Sequence, residues 1–175
     1  MKKYIFVELF ERYQLPLFRY LYLMSRNRET AEELLQETFY RAMISLQVED
    51  ILQARAWIFK VARNLYIDWT RKAKSEQRMV ERIQLEFNSN STIGNPEQKL
   101  DEKTRQQELE EVMSLLPERM QTILYLREVQ GFSYKELASA MNLSDSQVKV
   151  TLHRAKDKFR YHDNLNKEAL RNEER

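Results

Sequence analysis

The chain has 175 residues, 42% hydrophobic and 32% charged, with a formal net charge of +2, which suits one ordinary domain or two small ones with real cores. Having no cysteine and only two histidines, His153 and His162, it excludes a disulfide framework and thiolate metal sites and makes a histidine metal site hard to build. No metal or cofactor is expected, and a reducing, cytoplasmic setting fits the missing cysteines.

No apolar run reaches membrane-spanning length, and the opening "MKKYIFVELFERY" meets charge too soon for a signal peptide. Two glycines and three prolines among frequent Leu, Glu, Arg, Lys and Ala predict an all-α fold. From Tyr4 to about Met24 an apolar pattern (Ile5, Leu9, Phe10, Tyr13, Leu17, Leu21) runs over Pro16, where a kink or break is predicted. "TAEELLQETFYRAMISL" follows, with Thr30 and Glu33 spaced as a capping box. This segment is acidic, Glu29, Glu32, Glu33 and Glu37 facing only Arg41. Gln36 and Glu37 beside Leu34, Leu35 and Phe39 suit a protein partner with a basic groove. A capped helix that buries its apolar face explains the same pattern, and both readings can hold together.

A third helix is predicted over roughly Ala54 to Lys74. Trp57, Val61, Leu65 and Trp69 form an i, i+4 stripe with Ile58 and Ala62 beside it, and Lys60, Arg63 and Arg71 lie on the other side. Asn64 and Asp68 sit on the border. From Arg55 to Arg82 there are eight basic residues against three acidic ones. A basic helix is usually only solvated; beside a second nucleic-acid-binding unit it reads as a further contact. The two tryptophans read as core rather than as platforms for unpaired bases.

At "FNSNSTIGNPEQ" the periodicity collapses into Asn, Ser, Gly and Pro. The predicted organisation is two small helical domains, 1–82 and 107–175, joined by a flexible linker over 83–106. In the second, "LPERMQTILYLREVQG" places Pro117 at a first helical position and Gly131 as a C-terminal stop. "FSYKELASAMNLSDSQVKVTLHRAKDKF" then holds two short helical patterns, each opened by a capping box, Ser133 with Glu136 and Ser144 with Gln147. Asn142 between them tolerates the left-handed backbone that a tight turn needs.

On the second of these helices Val148, Leu152, Ala155 and Phe159 share one narrow face. Ser146, Val150, His153 and Asp157 lie opposite, flanked by Gln147 and Arg154 on one side and Lys149 and Lys156 on the other. That is the pattern of a recognition helix, whose N-terminal outer residues enter the major groove. Gln147 can pair with an adenine edge, Lys149 with guanine acceptors, and Val150 can touch a thymine methyl. Arg154, Lys156, Lys158 and Arg160 are placed to grip phosphates. The plainer reading is a surface helix with ordinary solvated charges.

Taken together, "AEELLQETFYRA", "RAWIFKVARNLYIDWTRK" and the stretch from "LPERM" to "AKDKF" resemble regions 2 and 4 of the extracytoplasmic function (ECF) sigma factors, small members of the sigma-70 family. The resemblance covers nearly the whole chain in the family's order. It implies that Leu35, Gln36, Glu37 and Phe39 dock on the β′ clamp helices of core RNA polymerase. It implies that the segment carrying Lys60, Arg63, Asn64, Asp68 and Arg71 reads and helps open the start-proximal (−10) promoter element, Asn64 and Asp68 lining the non-template strand. The helix-turn-helix, with Ser146, Gln147, Lys149, Val150, His153, Arg154 and Lys156, would read the upstream (−35) element in double-stranded DNA while its domain binds the β flap.

Chemistry would belong to the polymerase, so no catalytic residue is expected, and an anti-sigma factor is the expected regulator. Three rival readings fit parts of the same pattern. One is a stand-alone helix-turn-helix transcriptional regulator, which would need a dimer interface. Another is a hydrolytic enzyme using Glu32, Glu33 and Glu37, which lacks a histidine or metal constellation. The third is an interaction protein of the anti-sigma kind.

Overall fold

The computed structural model describes residues 2–47, 51–87 and 104–173, and every element among them is helical. Helix α1 spans Lys2–Ser25 and is continuous through Pro16, so that of the kink or break expected there the break does not occur. Proline removes a backbone donor and crowds the preceding turn, but Tyr13, Leu17, Tyr20 and Leu21 on both sides of it are buried, and their packing holds the helix together. Helix α2 spans Arg28–Ser45. Its cap is not Thr30, as the capping-box pattern predicted, but Asn27, whose side chain accepts from the Thr30 amide at 2.9 Å. Arg26, at φ 56°, turns the chain sharply enough to begin the helix three residues early.

Helix α3, Ile51–Phe87, is 37 residues long and exceeds the predicted helix at both ends. Its second half is rich in Lys, Arg, Glu, Gln and Met, all good helix formers. Gln77 donates to Glu81 at 3.1 Å along one face. Helicity therefore continues past the predicted domain edge at Arg82. The centre of the predicted linker lies outside the described residues.

The C-terminal unit comprises α4 (Arg105–Ser114), α5 (Glu118–Leu124) running into a π-helical turn over Tyr125–Val129, α6 (Tyr134–Met141) and α7 (Asp145–Glu173). A complete Thr104–Gln107 capping box starts α4. Pro117 is the cap of α5 rather than its first helical residue, one position from the prediction. Gly131, at φ 66°, stops the segment as expected, in a backbone region that side chains disfavour. Arg127 secures the turn by donating to the Phe132 carbonyl at 2.7 Å.

The two units share one continuous core. Helices α1, α2 and α3 pack together around Leu9, Leu17, Leu21, Ala31, Ala42, Ile58 and Ala62; α5, α6 and α7 pack around Ile123, Leu126, Leu137, Val148 and Leu152. Between them runs a seam of α1 and α3 against α4, α5 and α6. Phe59 of α3 meets Phe132 edge to face at 5.4 Å, both buried, and Tyr20 lies 5.5 Å from Tyr125. The tether alone suggests bodies standing apart.

Candidate nucleic-acid interface

The recognition helix is built from its turn upward. Asn142 adopts the left-handed conformation, φ 53° and ψ 53°, and donates its amide to the Ala138 carbonyl, closing α6. Ser144 then opens α7 with both halves of the predicted box: its hydroxyl accepts from the Gln147 amide at 3.2 Å, and the Gln147 side chain accepts from the Ser144 amide at 2.9 Å. The same reciprocal pair, Ser133 and Glu136, opens α6. Two consecutive tight caps fix the angle between the helices.

Val148, Leu152 and Ala155 are buried, as the stripe predicted. Ser146, Gln147, Lys149, Val150, His153 and Arg154 are all exposed on the outer side of α7. Among the described residues Lys149 and Arg154 face no carboxylate within ion-pair distance. His153 lies 3.2 Å from Asp157, and Lys156 leans back to Glu128 at 3.2 Å. Gln147 enters the cap with its carbonyl oxygen, which leaves its amide N–H groups for another acceptor. A shallow groove beside this face is lined by Ser146, Gln147, Val150 and Arg154 from α7 and by Pro117 and Arg119 from the start of α5. Arg119 was missed from sequence, since only the fold carries it to α7.

The cationic face of α3 is in a different state. Asn64, Asp68 and Arg71 are exposed, Arg71 lying 4.0 Å from Asp68, and Lys60 is half-buried. Arg63 is turned inward: its side chain is 15% exposed and donates through Nε at 2.7 Å and Nη2 at 3.0 Å to the two oxygens of Glu118. Arg55, one turn before Phe59, donates to Glu136 from Nε at 3.1 Å and stacks over the Phe132 ring at 4.4 Å. Burial pushes the Glu136 carboxyl up, yet the Arg55 guanidinium and the Ser133 amide outweigh it and hold the group below its ordinary value. Trp57 and Trp69 pack against the core, as expected of them.

On α2, Gln36 is exposed, Leu35 half-buried, and Glu37 accepts from Arg41 at 2.8 Å. Phe39 does not join them at the surface. Its ring is buried, edge-on to Phe6 at 6.4 Å and Phe10 at 4.9 Å. The neighbouring apolar surface is made by Tyr40, Met43 and Ile44, all exposed. The sequence pattern could not separate these from Phe39, because every second or third residue here is apolar.

Residues 9–76 match the model of sigma-70 region 2, and residues 106–159 that of sigma-70 region 4. The chain is 34% identical over 158 residues to the ECF RNA polymerase sigma factor SigM of Bacillus subtilis (strain 168), covering 87% of this chain and 91% of that one. The chain belongs to the ECF sigma factors. A second relative, the RNA polymerase sigma factor YlaC of the same strain, is 31% identical over 85% of this chain and 86% of its own. The fold is shared with the sigma factor RpoE of Bartonella quintana, solved in complex with the anti-sigma factor NepR, at a TM-score of 0.69, 20% identity, and 90% and 95% coverage of the two chains.

This sigma factor is therefore a transcription initiation factor of the sigma-70 family, and the all-α, two-unit architecture expected from the sequence is the one observed. No helix among the described residues is long and apolar enough to cross a membrane. None of their His, Asp and Glu side chains gathers into a cluster able to hold a metal.

Proposed function

We propose that this sigma factor brings core RNA polymerase to a two-part promoter and helps open the start-proximal part. The observation that carries the reading is the outer face of α7, where exposed Gln147, Lys149, Val150 and Arg154 stand off a buried apolar stripe. Gln147, Lys149 and Val150 read base edges of the −35 element in the major groove, with Ser146 and His153 beside them, while Arg154 and Lys156 hold phosphates. Lys60, Arg63, Asn64, Asp68 and Arg71 meet the −10 element and its displaced non-template strand. Capture of unstacked bases there offsets an opening cost of about a few kcal/mol per base. Two modest sites on one chain bind together more tightly than either does alone.

Leu35, Gln36 and Glu37 on α2 contact the β′ clamp helices, with Tyr40, Met43 and Ile44 extending the apolar part of that surface, and Phe39 supports them from beneath. The C-terminal unit sits at the β flap. An anti-sigma factor is the regulatory partner, the class of protein found in complex with the structural neighbour RpoE. The protein acts in the cytoplasm, where polymerase is, and carries no catalytic residue, metal or cofactor of its own.

Run-off transcription with core polymerase on genomic fragments tests this. The expected result is a promoter-dependent product that disappears with the Lys149→Ala/Arg154→Ala pair. Promoter-dependent product that survives those substitutions, or no product from any fragment, would overturn it.

A further inference from the structure

Helix α3 outruns the body it belongs to. Residues 74–84 are all exposed, so these turns stand clear of every other described element. The match to sigma-70 region 2 ends at residue 76, and Arg78 and Arg82 lie beyond it. At about 100° per residue, Arg71, Lys74, Arg78 and Arg82 fall within a sector of about 80°, in line with Lys60 and Asn64 of the start-proximal face. A rise of about 1.5 Å per residue sets Arg71 and Arg82 about 16 Å apart, the length of about five base pairs.

What marks this stripe is how its charges are spaced. On α1 and α2, Arg12 pairs with Glu8 at 2.9 Å, Arg28 with Glu32 at 3.0 Å and Arg41 with Glu37 at 2.8 Å, each across one helical turn. On the arm the same four-residue spacing sets Lys74, Arg78 and Arg82 beside one another. Like charges one turn apart weaken a helix, so the arrangement works against local stability and is relieved by an anion from outside the chain. Glu81 borders the stripe, but it accepts from Gln77 at 3.1 Å. Among the described residues Lys74, Arg78 and Arg82 meet no carboxylate within ion-pair distance.

Resting on the reading of Lys60, Asn64 and Arg71 as start-proximal DNA contacts, we propose that Lys74, Arg78 and Arg82 grip the sugar-phosphate backbone of the duplex between the two promoter elements. The placement follows from the direction of the chain. The arm ends at Phe87, and the next described unit is the one whose α7 reads the upstream element, so the arm leads from the start-proximal face toward the intervening DNA. A straight row of cations on a stiff helix matches the fixed phosphate row of a duplex rather than a pliable single strand. Such contacts carry no sequence information. They anchor the double-stranded side of the opening while the neighbouring bases are unstacked.

The full-length chain and a short fluorescent duplex of randomised sequence test this without polymerase. Arg78→Gln with Arg82→Gln removes two phosphate contacts and keeps good helix formers, so the slope of log affinity against log salt should flatten by about 1.8. The loss of affinity between about 50 and about 200 mM salt should accordingly shrink by about tenfold. Arg12→Gln with Arg28→Gln makes the same charge change on α1 and α2, and should leave the slope nearly as it was. Position is read in the holoenzyme. The chain has no cysteine of its own, so Ser75→Cys, exposed on the same side of the arm, can carry a tethered hydroxyl-radical cleaver. On a fragment that gives promoter-dependent product, cuts should fall within about five base pairs on the upstream side of the start-proximal element.

An unchanged slope in the arm pair, or an equal change in the control pair, overturns the inference. So do cuts confined to the opened strand or to downstream DNA. Loss of core polymerase on co-purification with an unchanged slope overturns it too, and makes the arm a polymerase contact. Should run-off transcription yield no product from any fragment, the functional reading falls, while the slope still decides whether the arm holds duplex.

Discussion

Helices α3 and α7 carry similar chemistry and are used differently. Each has an apolar stripe and a cationic side, yet Lys149 and Arg154 of α7 face solvent while Arg55 and Arg63 of α3 face carboxylates on α6 and α5. What differs is the opposing surface. Among the described residues the outer side of α7 stays exposed, whereas α3 lies under the start of α5 and α6, both of which place a glutamate in the first turn. Those glutamates are favoured there by the positive end of the helix dipole, so the ends of two helices present acid to a basic face. A basic helix is thus a nucleic-acid surface or an internal ion-pair surface according to its neighbour, and the distinction is not a property of the helix.

The comparison can be broken most forcefully at its apolar centre. Phe132 is fully buried between Phe59 and the Arg55 guanidinium, so Phe132→Ala should cost about 3–5 kcal/mol in chemical denaturation. Val150→Ala on the open side should cost within about 0.5 kcal/mol. Equal losses would mean that the seam is not part of the stable core.

Removing one partner of a seam ion pair comes next. Arg55→Ala leaves the Glu136 carboxylate, itself only 18% exposed, without its main counter-charge. A loss of about 1–3 kcal/mol is expected, against almost nothing for Arg71→Ala, whose partner is distant and solvated.

The seam should also have a pH signature at each end. Because the folded protein holds Glu136 below its ordinary value of 4.5, its contribution is present above that pH and fades as pH falls through the lowered value. Burial pushes the hydroxyls of Tyr20 and Tyr125 above their ordinary value of 10.0, so their contribution is complete below that pH and is lost as pH rises beyond it. Stability in chemical denaturation should be greatest between these limits and fall outside them. A loss centred near neutrality would point to groups other than these.

Effects on binding rather than on stability sharpen the α7 side. Gln147→Ala should relax base preference, worth about 1–3 kcal/mol between cognate and altered duplexes. Arg154→Ala should weaken all duplexes alike and reduce the salt slope by about 0.9. Identical behaviour in competition binding would erase the sorting into base and phosphate contacts.

Much of the site was legible because it depends on local rules. The boxes at Ser133 and Ser144, the left-handed Asn142 and the stop at Gly131 are set by residues within a few positions of each other, and all four appear as expected. The buried stripe of α7 and the core burial of Ile58 and Ala62 follow from helical periodicity for the same reason. The misses share a cause. Of the kink or break expected at Pro16 the break does not occur, because neighbouring elements hold the helix, and Asn27 rather than Thr30 caps α2 because Arg26 turns the chain first. Phe39 is buried because α1 brings Phe6 and Phe10 over it.

By itself the sequence determined an all-helical chain of two units, the pitch of its recognition helix and the face that helix shows, since capping and periodicity act over one or two turns. Only the tertiary structure decided that the units share a core and that Arg63 meets Glu118, 55 positions away. Contacts at that separation depend on how whole helices pack, and a charged side chain carries no local mark of which opposite charge it will find.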